Sequence, residues 1–280
     1  MTDTTALTRA CSTVVFRAYE LPRALDTISA LGIPAADLAA LAGLCEHVPP
    51  RGSRADLRAI AGAVRGSGLA MTSVNADPGS FNGAADAALV LDRIDALLEF
   101  CADVAVPRLV LTCGDSEQSD DADRELGAVA DGLNRAAEIA AGYPVELVVE
   151  APHYFRLVNT MPRARVLLAR LSPEIGQAWD VSHVRASGAD PVPLFAEFAE
   201  RVSIIHLRDA VPGDIRRAIG HGDVDFAGVL AEAAIRPEVP LVLELETHDS
   251  PFETKEEEVQ DALTKIGFLG PQARITGVSA

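Results

Sequence analysis

An α/β fold, a single (β/α)8 barrel spanning residues 1–280, is the architecture this sequence predicts. Three observations carry the prediction. Strand-like apolar runs alternate with amphipathic helical stretches eight times along the chain. The runs are near-continuous in Val, Leu and Ile, as expected of a parallel sheet covered on both faces. A length of 280 residues is long for an ordinary domain and normal for a closed barrel, and eight units favour closure over an open doubly wound sheet.

The elements follow in order. Residues 11–19 (CSTVVFRAY) read as the first strand and 20–32 as a helix. Residues 33–44 (IPAADLAALAGL) stand where the second strand belongs, although their alanines read almost as well as a helix. A helix over 54–68 ends in Gly, and 69–76 (LAMTSVNA) is a strand. A long amphipathic helix covers 83–106, followed by a strand over 107–114 and a helix over 121–143. Strands at 144–151, 175–184, 203–210 and 240–248 then alternate with helices at 161–171, 191–202, 225–234 and 255–266.

Composition excludes several functional classes. The chain is 49% hydrophobic and 23% charged, so a large core is expected. A net charge of −17 makes nucleic acid an unsuitable partner, because phosphate recognition needs clustered Lys and Arg. The N-terminus lacks the basic start and apolar core of a signal peptide, and no run reaches the ~18 apolar residues of a membrane span. Cys11, Cys45, Cys101 and Cys113 form no C-x-x-C pair and read as buried apolar filler, with Cys113 at a strand end the one to watch. The expectation is a cytoplasmic protein with reduced thiols and a small-molecule substrate, bound to neither membrane nor nucleic acid.

Four of the runs end in an acid or a histidine: Glu150 in LVVEAPH, Asp180 in GQAWDVSH, His206 in SIIHLRD and Glu244 in LVLELETH. In a closed parallel barrel these side chains share one rim. Two Glu, one Asp and one His converging there describe a divalent metal site with carboxylates to spare for proton transfer. Glu150 is read as both ligand and general base or acid. Glu244 and Glu246 have the same parity, so only one is the inner ligand. Glu244, which follows PLVL directly, is preferred. His183 would reach a substrate hydroxyl or brace the ligands, and Asp209 or a backbone carbonyl would fix the second ring nitrogen of His206. The oxygen-rich donor set suits Mn²⁺, Mg²⁺ or Co²⁺ best, with Zn²⁺ also accommodated.

Smaller features have plainer readings. Gly220 and Gly222 bracket His221 in a turn whose backbone would approach a substrate or phosphate, or would simply turn the chain. Trp179, of opposite parity to Asp180, should face the helix layer. Phe16 and Tyr19 would stack on a sugar ring or pack in the barrel. His248 and Asp249 would form part of a rim or lid.

Taken together, E-A-P-H at 150–153, D-V-S-H at 180–183, H-L-R-D at 206–209, G-H-G-D-V-D-F at 220–226 and L-V-L-E at 241–244 resemble the sugar phosphate isomerase/epimerase group of the xylose-isomerase-like TIM-barrel superfamily. The resemblance covers most of the chain. It implies Glu150, Asp180, His206 and Glu244 as metal ligands, with Glu150 and Glu244 as the acid/base pair. It implies His183, Arg208, Arg217 and His153 as substrate contacts. The chain departs from the group at the second strand, which usually ends in Glu. Here that strand is indistinct, and Glu46 and His47 stand in the following loop. Asn75 occupies a position where many members carry a polar residue or His. The expected reaction is isomerisation or epimerisation of a small sugar or polyhydroxy carbonyl compound through an enediolate. The alternative is a dehydratase or lyase acting on a keto-cyclitol, dehydroshikimate-like acid or modified sugar. Three intact acids and a histidine at the four strand ends argue against an inert barrel, and six His in total are too few for a three-zinc nuclease. Such barrels are often dimers or tetramers, so a homo-oligomer is left open.

Overall fold

Eight strands run parallel and close into a ring in the computed structural model, which describes residues 8–83, 86–116, 118–119, 121–247 and 250–267. The barrel strands are β1 (Arg9–Ser12), β2 (Ala35–Leu41), β4 (Ala70–Ala76), β5 (Arg108–Thr112), β6 (Glu146–Glu150), β7 (Gly176–Asp180), β8 (Val202–Leu207) and β11 (Leu241–Leu243). Pairing of β1 with both β11 and β2 completes the circle. A short β3 (Cys45–Glu46) folds back antiparallel on β2, and β9 (Asp209–Val211) and β10 (Asp214–Arg217) form a hairpin after β8.

Helices α1 (Leu21–Ala30), α2 (Arg54–Gly66), α3 (Ala87–Asp103), α4 (Ala122–Ala140) and α5 (Met161–Arg170) follow the first five barrel strands. Helices α6 (Val181–Ala186), α7 (Pro191–Phe198), α8 (Phe226–Ala233) and α9 (Lys255–Lys265) complete the outer layer. Their starts are written locally. Ser53 and Thr254 form capping boxes with Asp56 and Glu257, while Asp86, Asp180, Asp190 and Asp225 accept from first-turn amides.

One expectation needs correction, and one ambiguity is resolved. The first strand covers only Arg9–Ser12, and Thr13–Phe16 is a 3-10 turn. Val14 N–H donates to the Ser12 hydroxyl, which bends the chain away from the barrel wall. Residues 35–41 are a strand despite their alanines, because pairing with β1 on one side and β4 on the other outweighs helix propensity.

The strand period of two then builds the interior in layers. Ala10, Ala35, Val110, Val148, Ala178, Ile204 and Val242 point inward and form a dry plug. Two residues further along each strand stand Ser12, Asp37, Thr112, Glu150, Asp180, His206 and Glu244, all buried and all polar. An apolar floor thus supports a polar layer at the C-terminal rim, the end where barrels of this kind place their chemistry. Residues of opposite parity join the large outer core. Trp179 is one, set edge-on to Phe195 and stacked on Phe198 at ring-centroid distances of 6.1 and 5.4 Å.

Candidate metal centre and adjoining cavity

Barrel closure gathers the four strand-end residues that are distant in sequence. One donor atom from each of Glu150, Asp180, His206 and Glu244 lies within 4.8 Å of the others, and all four side chains are buried. His206 stands in the middle. Its Nδ1 is 2.9 Å from Glu150 Oε1 and 2.7 Å from Glu244 Oε2. Burial opposes a charge on this imidazole, but Glu244 and Glu150 outweigh burial and hold its pKa well above the usual range. Burial pushes the Glu150 carboxyl up to about 7, against the pull of His206.

Asp180 is held differently. Its Oδ1 accepts from Ser182 N–H, Ser182 Oγ and His183 N–H at 2.7, 2.5 and 3.1 Å, and its Oδ2 accepts from Arg208 Nη2 at 3.0 Å. Burial raises its pKa, yet the Arg208 guanidinium, His206 and these donors together keep it below the ordinary carboxylate range. Arg208 is itself buried. It also donates through Nε to Ser182 Oγ at 2.9 Å and sets Nη1 3.2 Å from Glu246 Oε1. Glu246 therefore pairs with Arg208, while Glu244 joins the cluster.

The donor set fits a divalent cation. Three carboxylates and one imidazole converge on one point. Glu244 Oε2 is buried without a hydrogen bond, although His206 Nδ1 is close, because the Nδ1 hydrogen bond runs to Glu150. An anionic cluster of this kind is costly unless a positive charge sits in it.

A cavity of about 230 Å³ opens onto the cluster, lined among others by Asn75, Glu150, His153, His183, Arg208 and Glu244. Asn75 donates from Nδ2 to Glu244 Oε1 at 3.3 Å. His183 is buried, and its Nδ1 accepts Tyr154 N–H at 3.0 Å. Burial and the Arg208 charge push its pKa well down, so the ring is neutral, and its Nε2 lies 3.2 Å from Arg208 Nη2. Nε2 stands 3.7 Å from Asp180 Oδ2, inside the cavity lining. His153 stacks on His183 with centroids 3.9 Å apart and places Nε2 3.7 Å from Glu150 Oε2. At the mouth, Arg156 pairs with Asp77 at 2.7 Å and with Asp115 at 3.7 Å.

Other candidates are placed elsewhere. Arg217 sits on the exposed hairpin strand β10, paired with Asp214 at 3.0 Å, and is not among the cavity-lining residues. The resemblance implied a substrate contact at this position, but on β10 it is Ile215 that lines the cavity while Arg217 is exposed. Asp209 does not reach His206. Its carboxylate accepts from the amides of Ala210, Gly220, Gly222 and Val224 at 2.8 to 3.2 Å. The Gly220 and Gly222 amides are thereby occupied by an acid of the chain itself. A Cβ on Gly222 would stand only 2.2 Å from Asp209 Oδ1, so glycine is required by that close approach. Glu46 accepts from Gly43 N–H at 2.9 Å, and His47 Nε2 lies 2.8 Å from Tyr19 O, both away from the cluster. Phe16 stacks on Tyr19, whose hydroxyl donates to Glu256. All four cysteines are free and buried, and burial pushes Cys113 up to about 12. His248 and Asp249 lie outside the described residues.

One ionisable residue of the layer escaped the sequence reading. Asp37, on β2 and 1% exposed, occupies the inward position two residues beyond Ala35. Burial pushes its pKa up to about 8, with Glu244 and Glu150 adding to the rise and His206 opposing it. Counting by twos through IPAADL would have found it. The ambiguity between helix and strand hid that count.

Comparison with known proteins places this geometry in context. The profile of the family described as "Xylose isomerase-like TIM barrel" matches residues 25–267. An inosose dehydratase of Geobacillus kaustophilus is 30% identical over 105 residues, which is 37% of this chain and 33% of that protein. Across the curated relatives matched, the aligned stretches span 30 to 48% of their lengths. Among solved structures, the 3-keto-D-glucoside 4-epimerase YcjR of E. coli superposes with a TM-score of 0.73 at 15% identity, covering 94% of this chain and 100% of its own. The IOLI protein, solved with a binding zinc atom, superposes with a TM-score of 0.72 at 18% identity over 92% of this chain and 96% of its own. At such identities these likenesses concern the fold.

Proposed function

The chain belongs to the xylose isomerase-like TIM barrel family, and from that premise we propose that it is a divalent-metal-dependent isomerase or epimerase of a small, uncharged polyhydroxy carbonyl compound. One observation carries the reading. Two buried carboxylates, Glu150 and Glu244, flank one histidine nitrogen at 2.9 and 2.7 Å, and both line the same cavity. That is the arrangement a proton needs to leave one carbon and return at another position or on another face.

In this reading Glu150, Asp180, His206 and Glu244 hold the ion. A bound divalent cation supplies Lewis-acid polarisation of a substrate carbonyl and the adjacent hydroxyl. Glu150 removes the proton α to the carbonyl, and the pair left behind delocalises as an enediolate. Glu244, oriented by the Asn75 amide, returns a proton to the opposite face (epimerisation) or to the neighbouring carbon (isomerisation). Neutral His183, held by Tyr154 N–H at Nδ1 and beside Arg208 at Nε2, forms one wall for the substrate, and His153 narrows the cavity beside it. Arg208 keeps Asp180 ionised and oriented. The substrate is uncharged because both guanidinium groups among the described lining residues, Arg156 and Arg208, are already ion-paired with acids. The Gly220 and Gly222 amides, spent on Asp209, leave no phosphate cradle there.

Dehydration is the second reading. It is favoured by the 30% identity to an inosose dehydratase and shares the same first proton removal. A panel of ketoses and keto-cyclitols, incubated in D2O with Mn²⁺, Mg²⁺ or Co²⁺, separates the two. Deuterium entering the α-carbon without loss of water supports isomerisation, and a new ultraviolet chromophore supports dehydration. Absence of exchange and of turnover across the whole panel would reject both.

A further inference from the structure

Besides Glu244 Oε2, which faces His206 Nδ1, three buried polar atoms of the inward layer lack a hydrogen-bond partner of good geometry: Asp37 Oδ1, Asp37 Oδ2 and His206 Nε2. Orphans of this kind are uncommon, and each unsatisfied group costs free energy, most of all a carboxylate. Their positions are related. Asp37 and His206 stand on β2 and β8, each two residues past an inward member of the apolar floor. The charges of His206, Glu244 and Glu150 all act on Asp37. Because His206 Nδ1 faces Glu150 and Glu244, its Nε2 is turned away from the cluster and back into the barrel. Asp209, the acid three residues further along the chain, is consumed by four backbone amides and takes no part.

We infer that Asp37 is a positioning residue for His206, accepting the hydrogen bond of Nε2–H directly or across one shared water and so presenting Nδ1 to the cation. A histidine that ligates a metal through one nitrogen gains basicity and a fixed ring orientation when a carboxylate takes the proton on the other. Asp37 lies outside the group of atoms within mutual ligand reach, so its role is exerted through His206. A polar, fully buried trio is also the setting in which a protein retains an internal water. The inference rests on the cation reading of the four-residue cluster. It gives a role to a carboxyl group at 1% exposure whose other polar neighbour is the Ser73 side chain.

The test compares wild type, Asp37→Ala and Asp37→Asn, each stripped of metal. Mn²⁺ affinity is read by competition with a fluorescent chelator. The His206 tautomer is read by ¹⁵N NMR on the metal-free and Zn²⁺-loaded proteins, and melting of the metal-free protein is followed alongside. Loss of a carboxylate that orients a metal-ligating histidine should weaken Mn²⁺ binding by about 10- to 100-fold in Asp37→Ala. Asp37→Asn keeps an acceptor oxygen and should lose less. In Zn²⁺-loaded wild type the His206 proton resides on Nε2 and exchanges slowly, and in Asp37→Ala it exchanges faster. The metal-free variants should melt no lower than wild type, since an unsatisfied carboxylate has been removed. Asp37→Ala binding Mn²⁺ within twofold of wild type would overturn the inference while leaving the metal site standing. A lower melting temperature with unchanged His206 exchange would also overturn it, by assigning Asp37 a packing role. No Mn²⁺ binding by wild type would instead defeat the underlying cation reading, and the inference with it.

Discussion

Glu150 answers to two demands at one carboxylate, ion binding and proton transfer, and both depend on the proton it holds when the ion is absent. In the metal-free protein Glu150 titrates near 7 and His206 well above its usual value, so each carries a proton that a cation must displace. The sign follows directly. Lowering the pH fills both sites with protons and weakens binding, and raising it clears them. Apparent Mn²⁺ affinity should therefore fall by about 10³-fold from pH 8 to pH 6, about tenfold from Glu150 and about 100-fold from His206, with proton release on binding measurable by calorimetry in buffers of different ionisation heat. Glu150→Gln should lower solvent-hydrogen exchange into substrate by about 10² to 10⁴-fold, the range of general acid–base catalysis, while the metal-free fold persists. Retained exchange in that variant would remove Glu150 from the proton-transfer role.

The β8–β10 segment and the loop after it show how one side chain organises an element. Asp209 gathers four backbone amides, so the G-H-G turn is pinned to the end of the barrel wall from inside. Asp209→Ala strands these donors and should lower unfolding free energy by about 2–4 kcal/mol, with hydrogen exchange of the Gly220 and Gly222 amides rising ahead of the rest of the chain. Exchange at those amides matching wild type would contradict the pinning role. On β7, the D-V-S-H spacing is explained by capping. Asp180 ends the strand, accepts from the first amides of α6, and so brings His183 round to the cavity within three residues. That much could be read from sequence, since capping is local. The βα alternation places a strand at β2 as well, but AADLAAL satisfies helical and extended patterns alike, and its neighbours on either side decide.

Across the whole molecule, the barrel is a frame that holds mutually repelling acids together at one rim. Binding of an ion to the folded state alone must then raise stability. At a free Mn²⁺ concentration about 100-fold above its dissociation constant the gain should be about 2.7 kcal/mol, and melting should rise by about 5–10 °C. The same titration on Glu150→Gln combined with Glu244→Gln should move the midpoint little. An equal shift in wild type and the double variant would place the ion elsewhere on the protein.

What the sequence determined by itself was local and periodic. Apolar runs marked the strands, helical stretches alternated with them, and an acid or histidine ended four of the runs, since both patterns are written in nearest-neighbour chemistry. Only the tertiary structure decided which side chains share a volume. It separated Glu244 from Glu246 by giving the latter to Arg208, sent Arg217 to the surface, bound Asp209 to backbone amides, and put Asp37 in the same polar layer as His206. Strand register and barrel closure set those neighbours, and they arise from pairings between segments as distant in sequence as Arg9 and Leu241.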